Sequence, residues 1–153
     1  MEDLSKKNEA LEAFFKSKRE NWTVQIMPLF PFIKGEPHEI YDMQATALSY
    51  RHSLGEEIAY FLNKLSKEMV KNKEARKDKF IYYATGFSLK TNNTEKGIMI
   101  DADVAELDRA VEMLQSHIDY LRDCVKTIDN LQYAVKNRIM LMEYSSITQQ
   151  QRN

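Results

Sequence analysis

The chain is poor in the residues that interrupt regular structure: its 153 residues include four glycines and three prolines. All-β folds use glycine and proline at their many turns, so this scarcity points away from them. The single cysteine, Cys124, rules out a disulfide within the chain. A reducing, cytoplasmic location is therefore expected. No run approaches the ~18 apolar residues of a membrane span. The opening M-E-D-L-S-K-K-N-E has no apolar signal core, so neither membrane insertion nor secretion is expected. There is no G-x-x-x-x-G-K-[ST] and no G-x-G-x-x-G to cradle nucleotide phosphates. His38, His52 and His117 are scattered and form no metal spacing with Cys124. No catalytic site, metal or cofactor is expected, and the chain does not read as an enzyme. A net excess of charge is also missing, at −1 overall, so total charge says nothing about partners.

What the chain has is helical periodicity, over a length that suits one domain. Residues 4–20 read as a short charged helix with Leu4, Leu11, Phe14 and Phe15 on its apolar side. From Trp22 to Ile33 the sequence is apolar and carries Pro28 and Pro31, which forbid a regular helix across it. Two readings stay open there: an extended segment packed on the body, or a docking segment for another chain. A long helix then begins near His38. Ile40, Met43, Ala47, Tyr50, Leu54, Ile58, Phe61, Leu65 and Met69 recur at steps of three or four. Continuing that seam gives Asn72, Arg76, Phe80 and Tyr83, with Gly86 as the stop. Residues 86–101 read as a linker, with Asn92, Asn93 and Gly97 in a loop and Ile98–Ile100 as a short extended piece.

The last helix is predicted to start at a capping box of Asp103 and Glu106, which would also account for Asp101 and Asp108 by dipole compensation. Its seam is Val104, Leu107, Val111, Leu114, Ile118, Leu121, Val125 and Ile128, then Gln132, Val135, Ile139 and Met142. Such a heptad seam requires a partner helix. Tyr120, Cys124, Leu131, Tyr133 and Ala134 lie off it as a second apolar flank, with Cys124 semi-buried. His52 and His117 are expected on helix surfaces. The expected fold is all-α: a long antiparallel, coiled-coil-like helical hairpin, with a short N-terminal helix and a proline-interrupted apolar segment. Residues 1–37 form the N-terminal part, 38–145 the hairpin with its loop at about 86–102, and 146–153 a polar tail. The second flank suggests that several hairpins associate as a homo-oligomeric ring or bundle.

Charge is unevenly spread. Lys64 to Lys79 holds seven basic and three acidic residues, whereas Asp101 to Asp129 holds eight acidic and three basic. Within the first stretch, Lys71, Lys73, Arg76, Lys77 and Lys79 fall where the apolar period stops, and Tyr82 and Tyr83 follow. A helix that loses its apolar stripe has nothing to bury there. One reading is a solvated helix face. The other is single-stranded nucleic acid, with cations meeting phosphates and a tyrosine ring stacking on a base.

From about Tyr50 onward the sequence resembles the UvsY family of phage recombination mediator proteins. The likeness rests on Lys77-x-Lys79-x-x-Tyr82-Tyr83 and a glycine after a Lys-rich helix, and on Ile100-Asp101-Ala102-Asp103. It continues through Ile118-Asp119-Tyr120-Leu121-Arg122-Asp123, Lys126-x-Ile128 and Ala134-Val135-Lys136-Asn137-Arg138-Ile139. The resemblance implies single-stranded DNA binding, a ring-like homo-oligomer, and help in loading a RecA-like recombinase onto strands coated by single-strand binding protein. It implies that Lys77 and Lys79 take the family's two basic DNA-contact positions, and, for a phage protein, a host-cytoplasmic location. Three features depart from the family. Ala84-Thr85 separates the tyrosine pair from its glycine where the family has one residue. The segment Met142-Glu143-Tyr144-Ser145-Ser146 replaces a terminal aromatic-x-x-Gly patch. Residues 1–37 have no counterpart. The rival expectation is a structural or chaperone-like hairpin, a virion component or holdase, that binds no DNA.

Overall fold

The structure, a computed structural model, describes residues 2–86 and 92–150. It holds three α-helices, α1 (Glu2–Ile26), α2 (Pro37–Ile81) and α3 (Asn93–Gln150). An eight-residue 3-10 helix (Met27–Lys34) follows α1, and a π-helical turn (Tyr82–Gly86) follows α2. Among the described residues there is no strand. The fold is all-α, as composition and periodicity indicated.

The helix ends follow from local chemistry, as three of them show. First, α1 runs on to Ile26, because nothing before Pro28 obstructs an α-helix. The proline at the start of the next segment and Pro31 inside it then leave only the tighter 3-10 turn, so Trp22–Ile33 is helical and not extended. Second, Pro37 opens α2, where a fixed φ and a missing N–H cost nothing. Third, α3 starts at Asn93, ten residues before Asp103. Asn92 Oδ1 accepts from the Glu95 N–H at 2.8 Å, and Glu95 Oε2 accepts from the Asn92 N–H at 2.9 Å. This reciprocal capping box outweighs the ~1 kcal/mol helix penalty of Gly97. Gly97 and Ile98–Ile100 are therefore helical, while residues 87–91 of the predicted linker lie outside the described residues.

The chain divides into two compact units. One comprises Met1–Ser17 and Ala59–Asp119. In it the segments of α2 and α3 run antiparallel, with residue 61 meeting 117 and residue 76 meeting 101 and 108. The α1 segment lies alongside α3 in the same direction: Asn8 Nδ2 donates to both the backbone oxygen and the carboxylate of Glu106, and Arg109 pairs with Glu12. The core is Phe15, Phe61, Leu65, Val104, Leu114 and Ile118. His117 is fully buried here, stacked on Phe15 at 4.3 Å and edge-on to Phe61 at 4.8 Å, and not on the surface. Its place seven residues before Cys124 and fourteen before Leu131 makes it part of a second inward stripe beside the seam.

The other unit comprises Lys18–Ile58 and Tyr120–Asn153. There too α2 and α3 run antiparallel, through Gln44–Gln132 and Arg51–Asp129. Trp22, Ile26 and Leu29 are buried with Ile40, Met43, Ala47, Leu54, Leu121, Ile128 and Val135. Burying each large aliphatic side chain contributes about 1.5–3 kcal/mol. Trp22 is 4% exposed and its indole N–H donates to Glu57, which also pairs with Lys18. Trp22 is thus a core residue, and the large apolar side chains of its neighbourhood that stay open are Val24, Met27, Phe30 and Phe32. Apart from Tyr133, which is exposed, the second flank of α3 is covered from within the chain. Phe15 lies on His117, Tyr120 donates to the Arg19 carbonyl at 2.9 Å, and Phe30 and Ile33 border a groove with Leu131 and Ala134. Cys124 is buried on this flank, and burial pushes its thiol pKa up.

Candidate nucleic-acid interface

The basic run lies at the C-terminal end of α2 in the first unit, and it is not a uniform solvated face. The inner stripe of α2 continues through it with polar residues in place of apolar ones. Phe61 and Leu65 are followed by Asn72, which is buried, and then by Arg76, Lys79 and Tyr83, which are half-buried. Met69 and Phe80, assigned to the seam by their steps of three or four, are 54% and 59% exposed. A step of four overshoots a 3.6-residue turn by about 40°, so the successive fours from Phe61 through Leu65 carry Met69 off the buried side, as the step of four from Arg76 does Phe80.

The acidic start of α3 receives the inward groups. Arg76 donates to Asp108 at 2.6 Å and to Asp101 at 2.7 Å, and its Nε donates to Asn72 Oδ1 at 3.0 Å. Asn72 Nδ2 donates to Asp108 at 2.7 Å. Lys79 pairs with Asp103 at 3.0 Å, and the Tyr83 hydroxyl donates to the same carboxylate at 2.9 Å. Asp101, Asp103 and Asp108 are therefore cross-helix acceptors and not helix-start caps, while Glu106 holds Asn8. The hydrogen bond from Lys79, with that from Tyr83, lowers the Asp103 pKa; the bond to Asp103 raises those of Lys79 and Tyr83. Burial works to raise the Asp108 carboxyl, and the bonds from Arg76 and Asn72 outweigh it, leaving it below its ordinary value. Arg76 is raised by Asp108 first and Asp101 second.

The remaining candidates face outward in different directions. Lys71 is exposed and pairs with Glu68 one turn back at 2.7 Å, beside a groove of about 330 Å³ that Lys7 and Lys64 also line. Lys73 and Lys77 are exposed and have no ion-pair partner among the described residues. Tyr82 is 51% exposed and edge-on to Tyr83 at 5.1 Å. At 3.6 residues per turn it stands about 140° round the helix from Lys77. The structure thus separates the seven candidates: Arg76, Lys79 and Tyr83 meet α3, Lys71 meets its own helix, Tyr82 has its ring against Tyr83, and Lys73 and Lys77 are exposed.

Phe80, which its spacing places on the inner seam of α2, is instead exposed. The i, i+3 relation to Lys77 was its available signal. Among the described residues no group of three or more His, Cys, Asp or Glu side chains could hold a metal ion. No described helix is long and apolar enough to cross a membrane. No family model, curated protein or solved structure matches the chain.

Proposed function

We propose that the protein is a single-stranded-DNA-binding recombination mediator, acting as a homo-oligomer to help load a RecA-like recombinase onto strands coated by single-strand binding protein. The observation that carries this reading is the pair Lys73 and Lys77, four residues apart on one side of α2, exposed and without ion-pair partners among the described residues. Paired cations at one-turn spacing present two charges to successive phosphates. The likeness of the α2–α3 sequence to phage mediators supports the same assignment. Self-association is supported by Tyr133, Met140, Tyr144 and Ile147, exposed at helical spacing along the end of α3.

A second reading has its own support. Three of the five cations are already engaged, Arg76 and Lys79 with α3 and Lys71 with Glu68, so much of the basic run serves packing. That favours a structural or chaperone-like helical protein. Salt titration separates the two. Each phosphate neutralised on a single strand contributes about −0.7 to the slope of log K against log salt. Replacing Lys73 and Lys77 by Ala flattens that slope by up to about 1.4 and weakens binding, with helix content retained because alanine is a better helix former. Fluorescence anisotropy of a labelled strand checks this. Wild-type protein that leaves the strand unbound at low salt establishes the structural reading.

A further inference from the structure

The stripe that carries Lys73 and Lys77 holds more than cations. Met69, Lys73, Lys77 and Phe80 follow one another at steps of four, four and three, so they share one side of α2. Phe80 is 59% exposed and has no ring partner among the described residues. Neither tyrosine beside it is placed the same way. The Tyr83 hydroxyl is bound to Asp103, and Tyr82 lies well round the helix with its ring against Tyr83. From Lys73 to Phe80 the stripe spans ~10 Å at 1.5 Å per residue.

We propose that Phe80 is the base-stacking platform of the strand site, with Lys73 and Lys77 holding the flanking phosphates. This inference rests on the single-strand reading above. A single strand offers a negative backbone and an unpaired ring face side by side, which is what adjacent ammonium groups and an open phenyl ring complement. A second copy of the chain suits the stripe less well. Covering Phe80 and Met69 with an apolar surface would also bury the Lys73 and Lys77 ammonium groups, which have no ion-pair partner among the described residues, and burying an unpaired charge is strongly unfavourable. A duplex suits it less well too, because its base faces are closed by stacking. Stacking on phenylalanine tolerates any base, so the site reads little sequence.

The test measures affinity for a labelled oligothymidine across a salt series, with oligomer mass by light scattering, for four proteins. These are the wild type, Phe80→Ala, Tyr82→Ala and the double variant Lys73→Ala with Lys77→Ala. Phe80→Ala is expected to weaken binding roughly 5- to 150-fold with the salt slope unchanged. The double lysine variant flattens the slope, and Tyr82→Ala binds as wild type. Phe80→Trp keeps the affinity, and its added emission is quenched by the strand. An undiminished affinity in Phe80→Ala, with the double lysine variant weakened, overturns the stacking role and leaves the strand-binding reading standing. Loss of affinity in Tyr82→Ala with Phe80→Ala silent moves the role to Tyr82 and also overturns it. A changed mass in Phe80→Ala assigns the ring to subunit contact instead. Wild-type protein that does not bind the strand removes the underlying reading and the inference together.

Discussion

Asn72 and Arg76 occupy positions where the inner stripe of α2 would otherwise carry leucine. Both are polar because Asp108 stands opposite them, and the three side chains satisfy one another. Removing the acceptor strands the others. Asp108→Ala leaves the buried Asn72 amide without its carboxylate and the Arg76 guanidinium with a weaker partner set. The expected cost is about 1–3 kcal/mol, seen as a lower urea midpoint with an unchanged slope. The same carboxylates set an acid response. The folded-state pKa values of Asp103 and Asp108 lie below the ordinary carboxylate value of 3.8. Their contribution is complete above the unfolded pKa and is lost as pH falls through the folded one. Urea midpoints of the wild type therefore drop below about pH 4, and Asp108→Ala shows a shallower drop. An equal drop in both proteins would place the acid sensitivity elsewhere. The identities of Asn72 and Arg76 were plain in the sequence. Their role was not, because a seam position occupied by arginine looks the same whether it faces water or an aspartate on another helix.

Within each element, start and stop chemistry decides more than average propensity. Asn92-x-x-Glu95 carries the signature of a capping box, yet the glycine five residues after Asn92 made the stretch look like a loop. A satisfied cap contributes about 1 kcal/mol, comparable with what a single glycine costs, and ten further residues join the helix. Gly55 shows the other side of this balance. It lies inside α2, exposed, and a Cβ added there meets nothing within 4 Å. Gly55→Ala is expected to raise stability by about 0.5–1 kcal/mol through propensity and the reduced freedom of the unfolded chain. Thermal unfolding checks it, and a lowered Tm would mean that this site needs the space. The proline-rich stretch was legible as a break in α1. Its conversion to a 3-10 helix with Trp22 and Leu29 inward depends on the surface waiting for it, which no local rule contains.

At the scale of the molecule, the apolar surface left open is the guide to assembly. The second flank of α3 no longer argues for it, since α1 and the 3-10 helix cover His117, Tyr120, Leu131 and Ala134. What stays open on α3 is chiefly its end, where Tyr133 and Tyr144 are 68% and 73% exposed. The seam itself opens beyond Val135. The isolated protein is expected to be an oligomer of more than two chains. Introducing charge there, with Met140→Glu and Tyr144→Glu together, lowers the mass measured by light scattering. Phe80→Ala and the double lysine variant leave it unchanged. A stable monomer at micromolar concentration would remove self-association from the proposal.

The sequence by itself determined the helical class, the long apolar seams of α2 and α3, the break at Pro28 and Pro31, and the polarised charge. Each is carried by periodicity or by the conformational limits of single residues, which act over a few positions along the chain. Only the tertiary structure decided which cations are occupied, what covers the second flank of α3, and that His117 and Trp22 are core. Those outcomes depend on pairs about 20 to 100 residues apart, such as Arg76 with Asp108 and Phe15 with His117. A side chain's own spacing cannot distinguish water from a partner that arrives from so far along the chain. Once Arg76 and Lys79 are matched to α3 and Lys71 to Glu68, the cations of that run without an ion-pair partner among the described residues are Lys73 and Lys77.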